Sequence, residues 1–252
     1  MRESWYDSLR TIRGVVRSLR IYYGARARRG ALDAVYQPYV GRGDLVFDIG
    51  GHVGDRVASF RRLGARVVVA EPQPALAKTL RLIYGRDRDV TIEEAAVGRT
   101  AGTASLRLNL DNPTVSTASD AFIAAAHGAP GWEGQQWTRT IEVPMTTLDA
   151  LIARHGAPRF IKIDVEGYEA EALAGLSSPV PSLSFEFTTI QRDVAAACIA
   201  RCAAIGYRGF RASLGESLTF VHDRKFAASE IAAWLADLPV EANSGDVYAT
   251  LD

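Results

Sequence analysis

From Asp44 onward, short apolar runs alternate with stretches of helical periodicity, and this alternation limits the chain to a sheet covered by helices. Leu45–Ile49, Arg66–Ala70, Val90–Ala96, Phe160–Val165 and Leu183–Phe187 read as strands. Arg56–Leu63, Pro74–Tyr84, Thr147–Arg154, Ala170–Leu176 and Val194–Ile205 read as helices, with Pro74 in the first turn of its helix. Strands joined through helices cross over right-handed and lie parallel, so the expected fold class is α/β, a Rossmann-like doubly wound sheet. Tyr207–Arg211, Leu218–Val221 and Val247–Leu251 are further candidate strands, and Glu230–Leu238 is a last helix. Ala104–Leu110 and Thr140–Val143 interrupt the rhythm as an extra strand pair. The long stretch between them is rich in Ser, Thr, Ala and Gly. Its Trp132 and Trp137 are poor material for disorder and mark the stretch as functional.

A chain of 252 residues, 48% hydrophobic and 23% charged, can bury a full core. The expected division is a helical extension over 1–40 and one large domain over 41–252. Twenty-nine Lys+Arg balance 29 Asp+Glu, so no global positive field draws in nucleic acid or an anionic bilayer, any electrostatic partner must be met locally, and no nucleic-acid partner is expected. Asp111-Asn112-Pro113-Thr114 carries an Asn-Pro step but lacks the second Pro and the aromatic of amino-methylating enzymes. Cys198 and Cys202 stand one helical turn apart and face no distant element, which argues against a disulfide and for a reducing compartment. Eight arginines lie between Arg2 and Arg29 with no long apolar run among them, so neither a signal peptide nor a membrane span is expected and the localisation reads as cytoplasmic.

Trp5, Leu9, Ile12, Val16, Leu19 and Tyr23 fall on one stripe of a helix, with arginines on its other faces. The favoured reading is a helix packed on the main domain or on a second subunit in a homodimer. The alternative is a basic amphipathic helix over residues 1–29 in contact with a membrane surface or an anionic partner.

In an open parallel sheet, ligands sit beyond the carboxyl ends of the strands. The first strand ends in Asp48 and runs into Gly50-Gly51-His52-Val53-Gly54, where Gly50, Gly51 and Gly54 allow a tight turn and close backbone approach. The turn alone suits any nucleotide. Asp48 narrows the choice, because a carboxylate fits badly beside a pyrophosphate and well beside the ammonium and sulfonium of S-adenosylmethionine. Glu71, about twenty residues further on, ends the second strand where an acid can accept both ribose hydroxyls.

The fourth strand ends in Lys162-Ile163-Asp164-Val165-Glu166-Gly167-Tyr168-Glu169. Glu169 is explained by the N-terminus of the next helix. Asp164 is not, since a charge at a strand end is costly unless paired or solvated in a cleft. With Glu186 on the fifth strand, Asp164 and Glu166 can converge on one acceptor hydroxyl or on one divalent ion.

These residues resemble the FkbM-type methyltransferase family over about Gly43 to Leu251. The similarity is carried by Gly43-Asp44 leading to Asp48-Ile49-Gly50, by Glu71-Pro72-Gln73-Pro74, by Ala95-Ala96-Val97-Gly98 and by the Ser116-Thr117 pair. Thr147-Leu148-Asp149, the run Ile161 to Glu169 and Phe185-Glu186 complete it. The resemblance implies a class I methyltransferase fold and O-methylation, commonly of sugar or polyketide-type hydroxyls. The first loop departs from the family, which usually has Ala-Asn where this chain has Gly51-His52. His52 is open to three readings: the same polar contact, a base, or a side chain in solvent.

The site expectation is therefore Asp48, Gly50, Gly51, His52, Gly54, Glu71, Pro72, Ala95, Ala96 and Asp164 around S-adenosylmethionine. Asp164 is the first candidate base, with Glu166, His52 and Glu186 beside it. No His/Cys cluster supports a soft metal, and no metal ligand is assigned. A magnesium-like ion with oxygen ligands is the less favoured alternative. The acceptor reads as the hydroxyl of a small molecule or sugar. A methyltransferase-like domain that binds cofactor or a partner without turnover is the rival, and a nucleic-acid or protein methyltransferase a weaker one. Asn109–Arg139 and the region after Tyr207 are expected to shape the acceptor pocket, where Arg208 or Arg211 can hold an anion.

Overall fold

The computed structural model describes residues 5–24 and 26–252. Its first half after the N-terminal helices α1 (Trp5–Gly24) and α2 (Arg26–Tyr36) runs β1 (Leu45–Ile49), α3 (Asp55–Arg62), β2 (Arg66–Ala70), α4 (Pro74–Tyr84) and β3 (Val90–Glu93). A small sheet follows, made of β4 (Ala96–Val97), β5 (Gly102–Leu108) and β6 (Arg139–Thr146), with helix α5 (Asp120–Ala126) between the last two. Then come α6 (Leu148–His155), β7 (Phe160–Ile163), α7 (Glu169–Ala174), β8 (Ser182–Thr188), α8 (Arg192–Ile205), β9 (Gly209–Leu214), α9 (Ala228–Asp237) and β10 (Ser244–Thr250).

The main sheet has seven strands in the order β3-β2-β1-β7-β8-β10-β9. Its first five are mutually parallel and β10 runs antiparallel to both β8 and β9. All five residues of β1 are buried, as a strand covered on both faces requires. Phe47 and Ile49 point to one core with α6, α7, α8 and α9, whereas Val46 points to a second core with α2, α3 and α4. Strand order reverses between β1 and β7, and the crevice at that point holds the candidate site.

Three expectations change. Val90–Ala96 is not one strand: β3 stops at Glu93, and Ala96–Val97 leaves to pair with Met145–Thr146 in the small sheet. Leu218–Val221 makes only a bridge from Phe220 to Ser213, because Leu218 adopts φ +53 and breaks the extended run. The apolar stripe of α1 packs on the domain only at its far end, through Tyr23, while Trp5, Leu9, Ile12 and Val16 stay exposed. Gly14 and Ser18 face inward instead, and a Cβ at Gly14 would lie 2.6 Å from the Leu110 carbonyl oxygen, so only a bare backbone fits there. Of the N-terminal segment 1–29, residues 1–4 and Ala25 lie outside the described residues.

The extra strand pair is antiparallel β5–β6. The long stretch inside it is packed: Trp132 meets Phe122 edge-on at 5.0 Å, and Trp137 Nε1 donates to the Val115 carbonyl at 2.7 Å. Cys198 and Cys202 are free thiols buried in the core on α8. Among the described residues, no helix is long and apolar enough to cross a membrane.

Candidate active site

The cleft beyond the carboxyl ends of β1, β2, β7 and β8 is lined by Asp48, Gly50, Gly51, His52, Glu71 and Pro72 from the first two strand ends. Ala95 and Ala96 line it beyond β3, and Asp164, Glu166 and Glu186 line it on the other side. The fold thus brings every predicted site residue but Gly54 to one cleft. Gly54 is the N-cap of α3, and the side chains of Tyr84, Leu80 and Tyr23 pack around it.

Backbone geometry explains the turn. Gly50 has φ +85, and a Cβ there would fall 1.7 Å from the Asp164 carbonyl oxygen. A Cβ on Gly51 would fall 2.0 Å from Val69 Cγ2. The ends of β1 and β7 therefore touch through bare backbone, which leaves the turn's amides close to a ligand. Asp48 is buried on the wall, its Oδ2 has no hydrogen-bond partner, and burial pushes its carboxyl up to about 7. A cationic ligand group relieves such a carboxylate; a phosphate aggravates it. Glu71 accepts from the backbone N–H of His52 at 2.9 Å and of Gln73 at 2.8 Å, one on each oxygen. Each oxygen keeps a lone pair for a further donor, as a ribose diol needs. Burial pushes Glu71 up to about 8, against the pull of those two N–H groups. These residues fit S-adenosylmethionine.

His52 does not point into solvent. Its ring meets Tyr22 of α1 edge-on at 5.2 Å, and its Nε2 lies 3.3 Å from Thr114 Oγ1. Burial lowers it to about 4, so the imidazole is neutral at neutral pH and available as a polar contact or a proton acceptor.

Strand register assembles the acidic wall. Asp48 pairs with Lys162 across β1–β7, Lys162 with Ser184 across β7–β8, and Asp246 with Glu186 across β10–β8. The alternation of side chains along β7 puts Lys162 and Asp164 on one face. Lys162 Nζ lies 3.3 Å from Asp164 Oδ2 and bonds closely to Asp246. Carboxylate oxygens of Asp164, Glu166 and Glu186 lie within 4.8 Å of one another. Burial works to raise Asp164, but the Lys162 ammonium and the Arg56 guanidinium outweigh it and hold the carboxyl below its ordinary value. Glu166 and Glu186 go well the other way, through burial first and the neighbouring Asp164 charge second. The three carboxyls are thus pushed apart, Asp164 toward the ionised form and Glu166 and Glu186 toward the neutral one.

Sequence reasoning passed over several residues of this wall. Lys162 was legible by its two-residue spacing from Asp164. Asp246 and Glu216 come from distant segments, and Tyr22 comes from α1, so only the tertiary fold reveals them. Arg56 follows Asp55 at the start of α3 and pairs with it at 2.8 Å. Thr114 and Ser116 bring the long stretch into the cleft, and Thr117 Oγ1 donates to the Glu166 carbonyl, which steadies Glu166 at φ +54. Arg208 and Arg211 do not line the cleft. Arg211 donates to the His222 and Asp223 carbonyls over the Phe220 ring, and Arg208 donates to the Ala203 and Tyr207 carbonyls.

Residues 48–226 match the family model described as the methyltransferase FkbM domain. The fold is similar to an O-methyltransferase from Bacillus cereus in complex with SAH, at 12% identity over 100% of this chain and 93% of that one, with a TM-score of 0.48. It is similar to a precorrin-6y C5,15-methyltransferase from Geobacter metallireducens, at 13% identity, 89% and 87% coverage and a TM-score of 0.45. A SAM-dependent O-methyltransferase from Thermotoga maritima aligns at 14% identity, over 88% of this chain and 64% of that one, with a TM-score of 0.42. No curated protein matches the sequence.

Proposed function

This chain belongs to the FkbM methyltransferase family, and from that premise we propose that it methylates a hydroxyl of a small molecule or sugar, with Asp164 as the base. S-adenosylmethionine supplies an electrophilic methyl group when bound. Asp48 would hold the cationic end of the cofactor and Glu71 its ribose hydroxyls, with Gly50 and Gly51 keeping the backbone open beside it. Pro72, Ala95 and Ala96 complete that wall.

The observation that carries the reading is the convergence of Asp164, Glu166 and Glu186 within 4.8 Å in the cleft, with Lys162 Nζ 3.3 Å from Asp164. Lys162 and Arg56 favour the ionised form of Asp164, whereas burial and the Asp164 charge favour the neutral forms of Glu166 and Glu186. An acceptor hydroxyl placed on the cleft side of Asp164 gives up its proton to that carboxylate. The Glu166 and Glu186 carboxyls beside it hold the acceptor and the base in line. Alignment supplies most of the rate, and a positioned base adds roughly a hundredfold to ten-thousandfold. Neutral His52, beside Thr114, is the second group that can accept a proton.

A labelled-methyl transfer screen against sugar nucleotides, free glycosides and hydroxylated scaffolds, with amines and oligonucleotides beside them, tests this. Label on an acceptor oxygen is the expected result. Label only on nitrogen, or cofactor binding without turnover of any acceptor class, overturns it.

A further inference from the structure

The outward half of α1 carries an apolar strip that the domain leaves uncovered. Trp5 is 74% exposed and Ile12 57%, with Leu9 and Val16 exposed between and beyond them on the same line of the helix. The strip continues onto α4, where Leu82 is 79% exposed across a groove that Ile12 and Val16 share with Thr79. Solitary exposed apolar residues are ordinary, whereas a contiguous patch rimmed by charge marks a contact surface. The rim here is basic. Arg13, Arg17 and Arg20 lie on the adjoining line of α1, all exposed and without an ion pair among the described residues, and Lys78 stands exposed on α4 at the groove. Asp7 is the one acidic residue of α1.

We infer that this face docks on an anionic lipid bilayer, with the strip and Leu82 at the acyl boundary and the arginines among the headgroups. An apolar line flanked by arginines along a helix, with Trp at its end, is the pattern that lies in a membrane interface. Charge selects the occupant. A second copy seated on this face by two-fold symmetry would bring two sets of Arg13, Arg17 and Arg20 to one interface with only Asp7 on each helix to offset them. Nucleic acid would answer the arginines and leave the strip in water. Anionic lipid answers both halves of the surface.

The same helix ends on the cofactor turn. Tyr22 packs on His52, and the Tyr23 hydroxyl donates to the Val53 carbonyl at 3.0 Å. Docking therefore holds the cleft at a fixed distance from the bilayer.

Cosedimentation of the full chain with phosphatidylcholine vesicles, and with vesicles containing phosphatidylglycerol, tests the inference. Binding to the anionic vesicles, reversed by salt and weak on pure phosphatidylcholine, is expected. Arg13→Gln with Arg17→Gln weakens it about thirtyfold, at roughly fivefold per arginine, and Ile12→Asp with Leu82→Asp abolishes it. Circular dichroism and the unfolding temperature confirm that these surface variants stay folded. Absence of binding to either vesicle overturns the inference, as does undiminished binding by the variants. A dimer in light scattering that Ile12→Asp dissolves, with no vesicle binding by the parent chain, assigns the face to a second copy instead.

Discussion

The Lys162 ammonium lies 3.3 Å from Asp164 Oδ2, the lysine reaching the cleft from β7 and the aspartate from just beyond its end. With Arg56, the ammonium favours the charged form of Asp164 over those of its two crowded neighbours. Without a cation at that position, burial and mutual repulsion would drive all three toward the neutral form.

Lys162→Met therefore raises the Asp164 pKa. A base is active above its pKa, so the acid limb of the pH–rate profile moves to higher pH, and activity lost at pH 7 returns as pH rises. The substitution also strips a buried partner from Asp246, and breaking such a pair costs about 3–5 kcal/mol. Combining it with Asp246→Asn restores stability without restoring the profile. A pH–rate profile with the limb unmoved contradicts the role given to Lys162.

Burial holds the Asp48 carboxyl near 7, and a cationic ligand favours its ionised form. Binding then releases protons at pH 6, and cofactor affinity rises between pH 6 and 8. Asp48→Asn lowers the affinity and flattens most of this slope. The remainder belongs to Glu71, which burial pushes up to about 8. Calorimetry in buffers of different ionisation enthalpy reads the released protons; affinity that falls as pH rises refutes the assignment.

Gly50→Ala places a methyl where the Asp164 carbonyl oxygen already stands, at a backbone φ that side chains resist. The turn and the base cannot both keep their positions. Strain of this kind costs on the order of 1–3 kcal/mol, and the predicted outcome is a folded variant with a lower unfolding temperature and little turnover. Retention of full activity would show that the contact between β1 and β7 is dispensable.

Chelation tests the oxygen cluster of Asp164, Glu166 and Glu186. Lys162 already places a cation 3.3 Å from Asp164, so activity is expected to survive excess EDTA and gain nothing from added magnesium. Loss of turnover that magnesium restores would assign the cluster to an ion.

The sequence made the strand ends legible, and with them most of the cleft. Asp48, Glu71 and Asp164 stand at the ends of apolar runs whose period and length leave little choice of structure, and the glycine turn follows without a gap. Two kinds of information were hidden. Asp246 and Glu216 enter the wall through pairing and folding of segments far away in the chain, which no local pattern announces. The orientation of α1 was misread for a different reason. Hydrophobic periodicity assigns Trp5, Leu9, Ile12 and Val16 to the buried face, but close approach to the Leu110 carbonyl demands Gly14 and Ser18 there. A seam of small residues is nearly silent on a hydrophobicity scale. His52 shows the limit from the other side: its position in the turn was plain, but its contacts with Tyr22 and Thr114 were not.

The central claim is that Asp164 accepts the proton of an acceptor hydroxyl during methyl transfer. Single-turnover transfer of labelled methyl by Asp164→Asn, with cofactor affinity measured separately, tests it most directly. The account predicts near-normal cofactor binding, a rate constant lower by roughly a hundredfold or more, and a methyl ether as the product of the parent enzyme. Transfer by Asp164→Asn at the parent rate, or a product methylated away from oxygen, would contradict it.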